Sequence, residues 1–210
     1  ARADAGIGAL ADLKGKKVAI GPVGSGTTEN AKQILEAWGL STKDLAKANP
    51  GSGACVLAAA MEMWLWTLKY LQTTKDANGK KLYHGKRQGV TFPMADALCW
   101  VLAPRYFYLD VLELKDKGPM NPVLAEGMEG LAQFYADMAH VQAARAAGEV
   151  SRICSELVYG YMADCGCKGG CDGLDEFSKL RQAVDSCLAG SRLAKDRAAK
   201  ALSTVMIPEA

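Results

Sequence analysis

Residues 121–162 read NPVLAEGMEGLAQFYADMAHVQAARAAGEVSRICSELVYGYM, and the spacing of their apolar side chains decides the fold. Leu131, Phe134, Tyr135, Met138 and Val141 form one run; Val150, Ile153, Cys154, Leu157, Val158 and Tyr161 form a second. Intervals of three and four put such side chains on one face of a helix. Between the runs lie Ala143, Ala144, Ala146, Ala147 and Gly148, small residues that let another backbone approach closely. The stretch therefore reads as one core helix, or as a pair of helices meeting near Gly148.

Working outward, 210 residues suffice for one good-sized domain, or one domain with a small appendage. Half the residues are apolar and 23% are charged, so a core can form without covalent staples. The formal charge of +2 excludes the broad basic field of a nucleic-acid binder, and any anionic ligand has to be held locally. Cysteines number seven, and Cys55, Cys99, Cys154 and Cys187 fall in helix-like segments, a pattern that suits reduced thiols in a cytoplasm. The apolar run over 54–71 carries Glu62 and Lys69, which argues against a membrane span. The opening residues, ARADAGIGALADLKG, lack both Met and an apolar signal block, as in a processed end or an excised fragment.

The first 50 residues read as a strand, loop and helix unit. Residues 16–21, KKVAIG, are β-prone; PVGSGT follows as a loop with Thr27 or Thr28 as helix cap; and 29–38 form a helix stopped by Gly39. The breakers at 49–53, NPGSG, mark a boundary, with a helical domain over 54–210. In it, Val56, Leu57, Ala60, Met61, Trp64, Leu65, Leu68 and Leu71 form a helical stripe. Residues 74–92 form a basic loop with a hairpin at Asn78-Gly79. Pro93 is expected to open the next helix and Pro104 to kink or split it, with a second piece over 105–117 stopped by Gly118-Pro119. A last helix, capped by Asp172, turns Leu174, Phe177, Leu180, Val184, Cys187, Leu188 and Ser191 inward; Arg192, Lys195, Arg197 and Lys200 give its second half a basic face. The expected fold is mainly α: a bundle of five or six helices with a small N-terminal strand-loop-helix unit.

Three places invite a chemical reading. The turn bearing Ser25, Gly26, Thr27 and Thr28 runs into a helix N-terminus, where amides and the helix dipole favour a carboxylate or phosphate. It lacks the lysine of a Walker loop, and Glu29 stands where a dinucleotide fingerprint needs glycine. A capped turn without ligand is the plain alternative. Cys165, Cys167 and Cys171 offer three thiolates for zinc, with Cys154, Cys187 or Asp172 as a fourth ligand. Their spacing lacks a second pair, so a reduced loop ranks first, zinc second and a local disulfide third. His140 shares a helix with Asp137 and Arg145, the outline of a base oriented by a carboxylate. With Glu149 these residues read more simply as a polar seam in a scaffold. No motif sets a nucleophile beside His140 or His84, and the lysines of the basic loop, with Tyr83 among them, either touch a nucleotide or coenzyme A or are merely solvated.

Two resemblances join these observations. DLKGKKVAIG at 12–21, GSGT at 24–27 and ILEAWGL at 34–40 resemble the opening of a lobe in the TAXI solute-binding receptors of TRAP transporters, over about residues 10–45. That resemblance implies binding of a small amino or organic acid at the glycine-rich turn. RQGVTFP at 87–93, DALCW at 96–100, DVLEL at 110–114, residues 140–161 and SRLAKDRAA at 191–199 are similar to the C-terminal helical region of bacterial acyl-CoA dehydrogenase-like proteins, over about 61–210. This second resemblance implies FAD chemistry in the family, but the domains that build the flavin site have no counterpart here and no catalytic base is carried over. No cofactor is expected in the isolated chain. What remains is a packing scaffold, a homo-oligomer or a piece that works with missing enzyme domains. Because one resemblance implies a periplasmic receptor and the other a cytoplasmic enzyme, the chain reads as a fusion, a recombined fragment or an artificial sequence, joined near 49–53.

Overall fold

A computed structural model describes residues 46–47, 52–118, 128–162 and 174–206. Five helices are complete enough to name among the described residues, in order: α1 (Ala54–Thr73), α2 (Gln88–Lys117), α3 (Met128–Gly160), α4 (Leu174–Cys187) and α5 (Ser191–Met206). They form a helical bundle, with no sheet among the described residues. The strand-loop-helix unit of residues 1–45 and the cysteine-rich loop at 165–171 lie outside the described residues.

The bundle is centred on α3, which packs against α1, α2 and α5. It is one unbroken helix, and Gly148 is an ordinary exposed position within it, with open space where a side chain would stand. Val150, Ile153, Cys154, Leu157 and Val158 are buried as their spacing requires. In the N-terminal half the buried face is a different one. Ala136, Asp137, Ala139, His140, Ala143, Ala146 and Ala147 face inward, while Leu131, Phe134, Met138 and Val141 are half-buried and Tyr135 is exposed. Small side chains permit close helix approach and the dispersion contacts that come with it, so the alanine face competes successfully with the larger apolar one.

On α1 the expected stripe is the buried one: Val56, Leu57, Ala60, Trp64, Leu68 and Leu71 are all enclosed, and Met61 and Leu65 pack at its edge. Its Trp64 indole N–H donates to the Met94 carbonyl of α2 at 2.9 Å, and Trp66 donates to Glu176 Oε2 of α4 at 2.8 Å. Trp66 also meets Phe177, whose ring takes Tyr159 edge-on at 5.6 Å between centroids. By length and composition α1 is long and apolar enough to cross a membrane, but 61% of its most apolar window is buried inside the bundle.

Two proline expectations are corrected. α2 begins at Gln88, so Pro93 sits within the helix rather than at its start. Pro104 does not divide it either; the helix is continuous to Lys117 and closes where the Gly118 N–H, at φ 72°, donates to the Leu114 carbonyl at 2.9 Å. An interior proline costs about 3 kcal/mol in lost hydrogen bonding and ring clash. Here Val90, Met94, Ala97, Val101, Tyr108 and Val111 are buried on both sides of the prolines, and that continuous packing holds the helix together.

A third correction concerns the C-terminal segment, read from sequence as one helix. It breaks after Cys187, and Gly190, at φ 83°, redirects the chain before Ser191 opens α5. Positive φ is a conformation that glycine adopts without strain. The basic loop after α1 is a tight turn: Lys75 and Lys81 form an antiparallel bridge, and Gly79, at φ 76°, donates its N–H to the Asp76 carbonyl at 2.9 Å.

Candidate functional site

The most chemically loaded place among the described residues lies where α1 begins and α4 gives way to α5. Both ends meet the ring of His140, which is 4% exposed on α3. Gly53, the N-cap of α1 at φ 79°, lies so close that a Cβ there would overlap His140 Cδ2, Nε2 and Cγ. From the other turn, a Cβ on Gly190 would stand 3.7 Å from His140 Cε1. The absence of a side chain at Gly53 is what admits the imidazole. Beside it, the Tyr108 hydroxyl of α2 donates to the Ser52 carbonyl at 2.7 Å, fastening the approach to α1.

One helical turn before His140 is Asp137, also 4% exposed. Its carboxylate takes both arms of the Arg197 guanidinium from α5: Nε donates to Oδ2 at 3.0 Å, and Nη2 donates to Oδ1. Two-pronged binding of this kind fixes orientation as well as charge. Arg197 therefore does more than solvate the outside of its helix. Its pKa is raised, first by the hydrogen bond to Asp137.

His140 is held below its ordinary pKa of 6.5, chiefly by burial; Asp137 pulls it up and Arg197 pushes it down. At neutral pH the ring is neutral. Its Nε2 is enclosed without a hydrogen-bond partner among the described residues. With Asp137 engaged by Arg197, the geometry is that of a clamped ion pair beside an imidazole rather than a carboxylate-oriented base. The other seam residues diverge: Arg145 lies over the Trp100 ring at 5.7 Å, and Glu149 pairs with Arg152 on the surface.

The same corner holds two reduced cysteines. Cys55, on the first turn of α1, is exposed, and Cys187, the last residue of α4, is half-buried. Burial first, then hydrogen bonding to Cys55, raises the Cys187 thiol to about 11. Cys154, by contrast, is sealed in the core, and burial raises it to about 11 despite a contact with Thr67. Among the described residues, no group of three or more His, Cys, Asp or Glu side chains is placed to hold a metal ion.

The basic loop resolves into an anchored turn. Asp76 Oδ1 accepts from the Asn78 and Lys80 amides, each at 2.9 Å, and Oδ2 accepts from Arg87 Nη2 at 2.6 Å. Its pKa is lowered, first by the Lys80 amide. Arg87 also lies 5.4 Å from the centre of the Tyr161 ring, while Lys75, Lys80, Lys81 and Lys86 remain exposed.

Residues 1–62 match the NMT1-like family. This is a periplasmic binding-protein-like family, which agrees at that level with the solute-receptor resemblance of residues 10–45. The match covers 62 of 210 residues and runs past the breakers at 49–53 into α1. It gives no support to the acyl-CoA dehydrogenase resemblance read over about 61–210. No solved structure matches the chain. Ser25, Gly26, Thr27 and Thr28 fall inside the matched segment but outside the described residues, as do Cys165, Cys167 and Cys171 among the unmatched ones.

The sequence flagged His140 and Asp137 but not their neighbours. In the sequence Gly53 is one of several breakers, Gly190 carries no signal of its own, and Arg197 reads as surface charge until α5 packs on α3.

Proposed function

We propose that the chain binds a small carboxylic acid through its N-terminal segment and that the helical bundle is a non-catalytic scaffold for that segment. The observation that carries this reading is the family match over residues 1–62, which encloses the glycine-rich turn. The hydroxyls of Ser25, Thr27 and Thr28 and the amides around Gly26 are the groups suited to a carboxylate. The engagement of Asp137 by Arg197 supports the scaffold half of the proposal, because it withdraws the carboxylate that would orient His140.

Thermal unfolding of the full chain with glutamate, other amino acids and four-carbon dicarboxylates tests the proposal. A ligand at a hundred times its Kd stabilises the folded state by about 2.7 kcal/mol. The expected result is a rise in Tm with an acidic ligand, lost in Thr27→Ala and not produced by the corresponding amide. A flat response to every acid overturns it.

The resemblance of the bundle to acyl-CoA dehydrogenases, to which the family match lends nothing, rests only on the sequence blocks at 87–93, 96–100, 110–114, 140–161 and 191–199. Read with the scaffold proposal, it has the bundle serving as a packing surface, for a second copy or for enzyme domains on another chain. Purified protein should then show no flavin band. A yellow preparation bleached by an acyl-CoA would refute the scaffold role.

A further inference from the structure

Two turns distant in sequence close on a single imidazole, and each brings a cysteine with it. Gly53 precedes Cys55 by two residues, and Cys187 precedes Gly190 by three. The two glycine positions are separated by no more than the width of the His140 ring and the contacts on either side of it. The first turn of α1 and the last of α4 are held in that register by Trp66, which bonds Glu176 and packs on Phe177. That antiparallel register sets Cys55 opposite Cys187, one thiol open to solvent and the other half-buried.

We propose that Cys55 and Cys187 form a reversible disulfide that locks the start of α1 to the end of α4. The oxidant is a low-molecular-weight disulfide of the glutathione class. The exposed Cys55 sulfur, as thiolate, attacks it, forms a mixed disulfide and expels one thiol. Cys187 then gives up its proton, attacks the Cys55 sulfur and expels the second. The two protein thiols lose two protons and two electrons; the small disulfide gains both and leaves as two thiols. The burial that keeps Cys187 protonated makes the second step the slow one.

The cross-link closes a loop that contains nearly all of α1 together with α2, α3 and α4, and the restriction it places on the unfolded chain grows with loop length. It also fastens the two turns that enclose His140. Cys154, sealed within the core, and Cys99, exposed on α2, have no place in the link.

The test is incubation of the full chain in glutathione buffers of increasing oxidised fraction, quenched by alkylation and mapped by peptide mass spectrometry. The expected product is a peptide pair joined through Cys55 and Cys187, lighter by two hydrogens than the two reduced peptides and restored by dithiothreitol. Its formation should raise Tm in the wild type but not in Cys55→Ser or Cys187→Ser. Both single variants should keep the wild-type reduced Tm to within a few degrees, which separates loss of the link from loss of the fold. Recovery of Cys55 only as a stable glutathione adduct, pairing of either residue with a different cysteine, or two unreacted thiols would each overturn the proposal.

Discussion

Along α3, the turns that carry Val150, Ile153, Leu157 and Val158 bury branched aliphatic side chains, whereas those from Ala136 to Ala147 bury alanines, one carboxylate and one imidazole. The first kind of burial draws its stability from apolar area removed from water, at about 25 cal/mol per Å². The second draws it from close backbone approach and from polar groups that have to be matched one by one. One half tolerates loss of detail but not of volume. The other tolerates almost no added volume, and its chemistry depends on partners from α1 and α5.

Deleting volume from the aliphatic half should have the largest effect. Leu157→Ala is expected to destabilise by about 3 kcal/mol, since a buried leucine loses both transfer energy and packing. Enlarging Ala146, which is fully buried, to leucine should cost about 2 kcal/mol by overpacking. Denaturant unfolding measures both, and an Ala146→Leu variant as stable as wild type would abolish the distinction between the halves.

Next comes the contact at the polar half. Gly53→Ala meets the His140 ring and adopts a positive φ, so a loss of about 2 kcal/mol is expected. Combining it with His140→Ala removes the overlap but leaves the backbone strain. The double variant should therefore be more stable than the two single losses predict, by at least about 0.5 kcal/mol. Strict additivity would mean that the glycine and the imidazole do not constrain one another.

The smallest effect is in proton binding. Because the folded His140 pKa lies below 6.5, the unfolded chain takes up the proton first. The contribution of the neutral ring to stability is then complete above about 6.5 and is lost as pH falls from there toward the folded pKa. Unfolding free energy measured against pH should decline in that window for wild type and less steeply for His140→Gln. Nuclear magnetic resonance titration sharpens the point: Arg197→Gln should move His140 upward and Asp137→Asn should move it downward, since Arg197 lowers its pKa and Asp137 raises it. A ring that titrates identically in all three proteins would show that the ion pair does not reach it.

Much of the bundle was legible because helix periodicity is local. The α1 stripe, the aliphatic half of α3, the hairpin at Asn78-Gly79 and the stop at Gly118 follow from spacing and from glycine's access to positive φ. The site was only half legible. Asp137 and His140 are neighbours on one helix and could be paired on paper, but the carboxylate's actual partner, Arg197, stands 60 residues away. Cys55 and Cys187, farther apart still, carry no local signal of their contact.

The sequence by itself determined that this chain makes long helices, since backbone hydrogen bonding and the 3.6-residue repeat act within a few residues. Tertiary structure decided which face of α3 is buried, that Pro104 leaves α2 whole, and that His140 lies between Gly53 and Gly190. Those outcomes depend on the fit between surfaces distant along the chain. A run with alanines on one face and aromatics on another offers two candidate interiors, and only the neighbouring helices select between them.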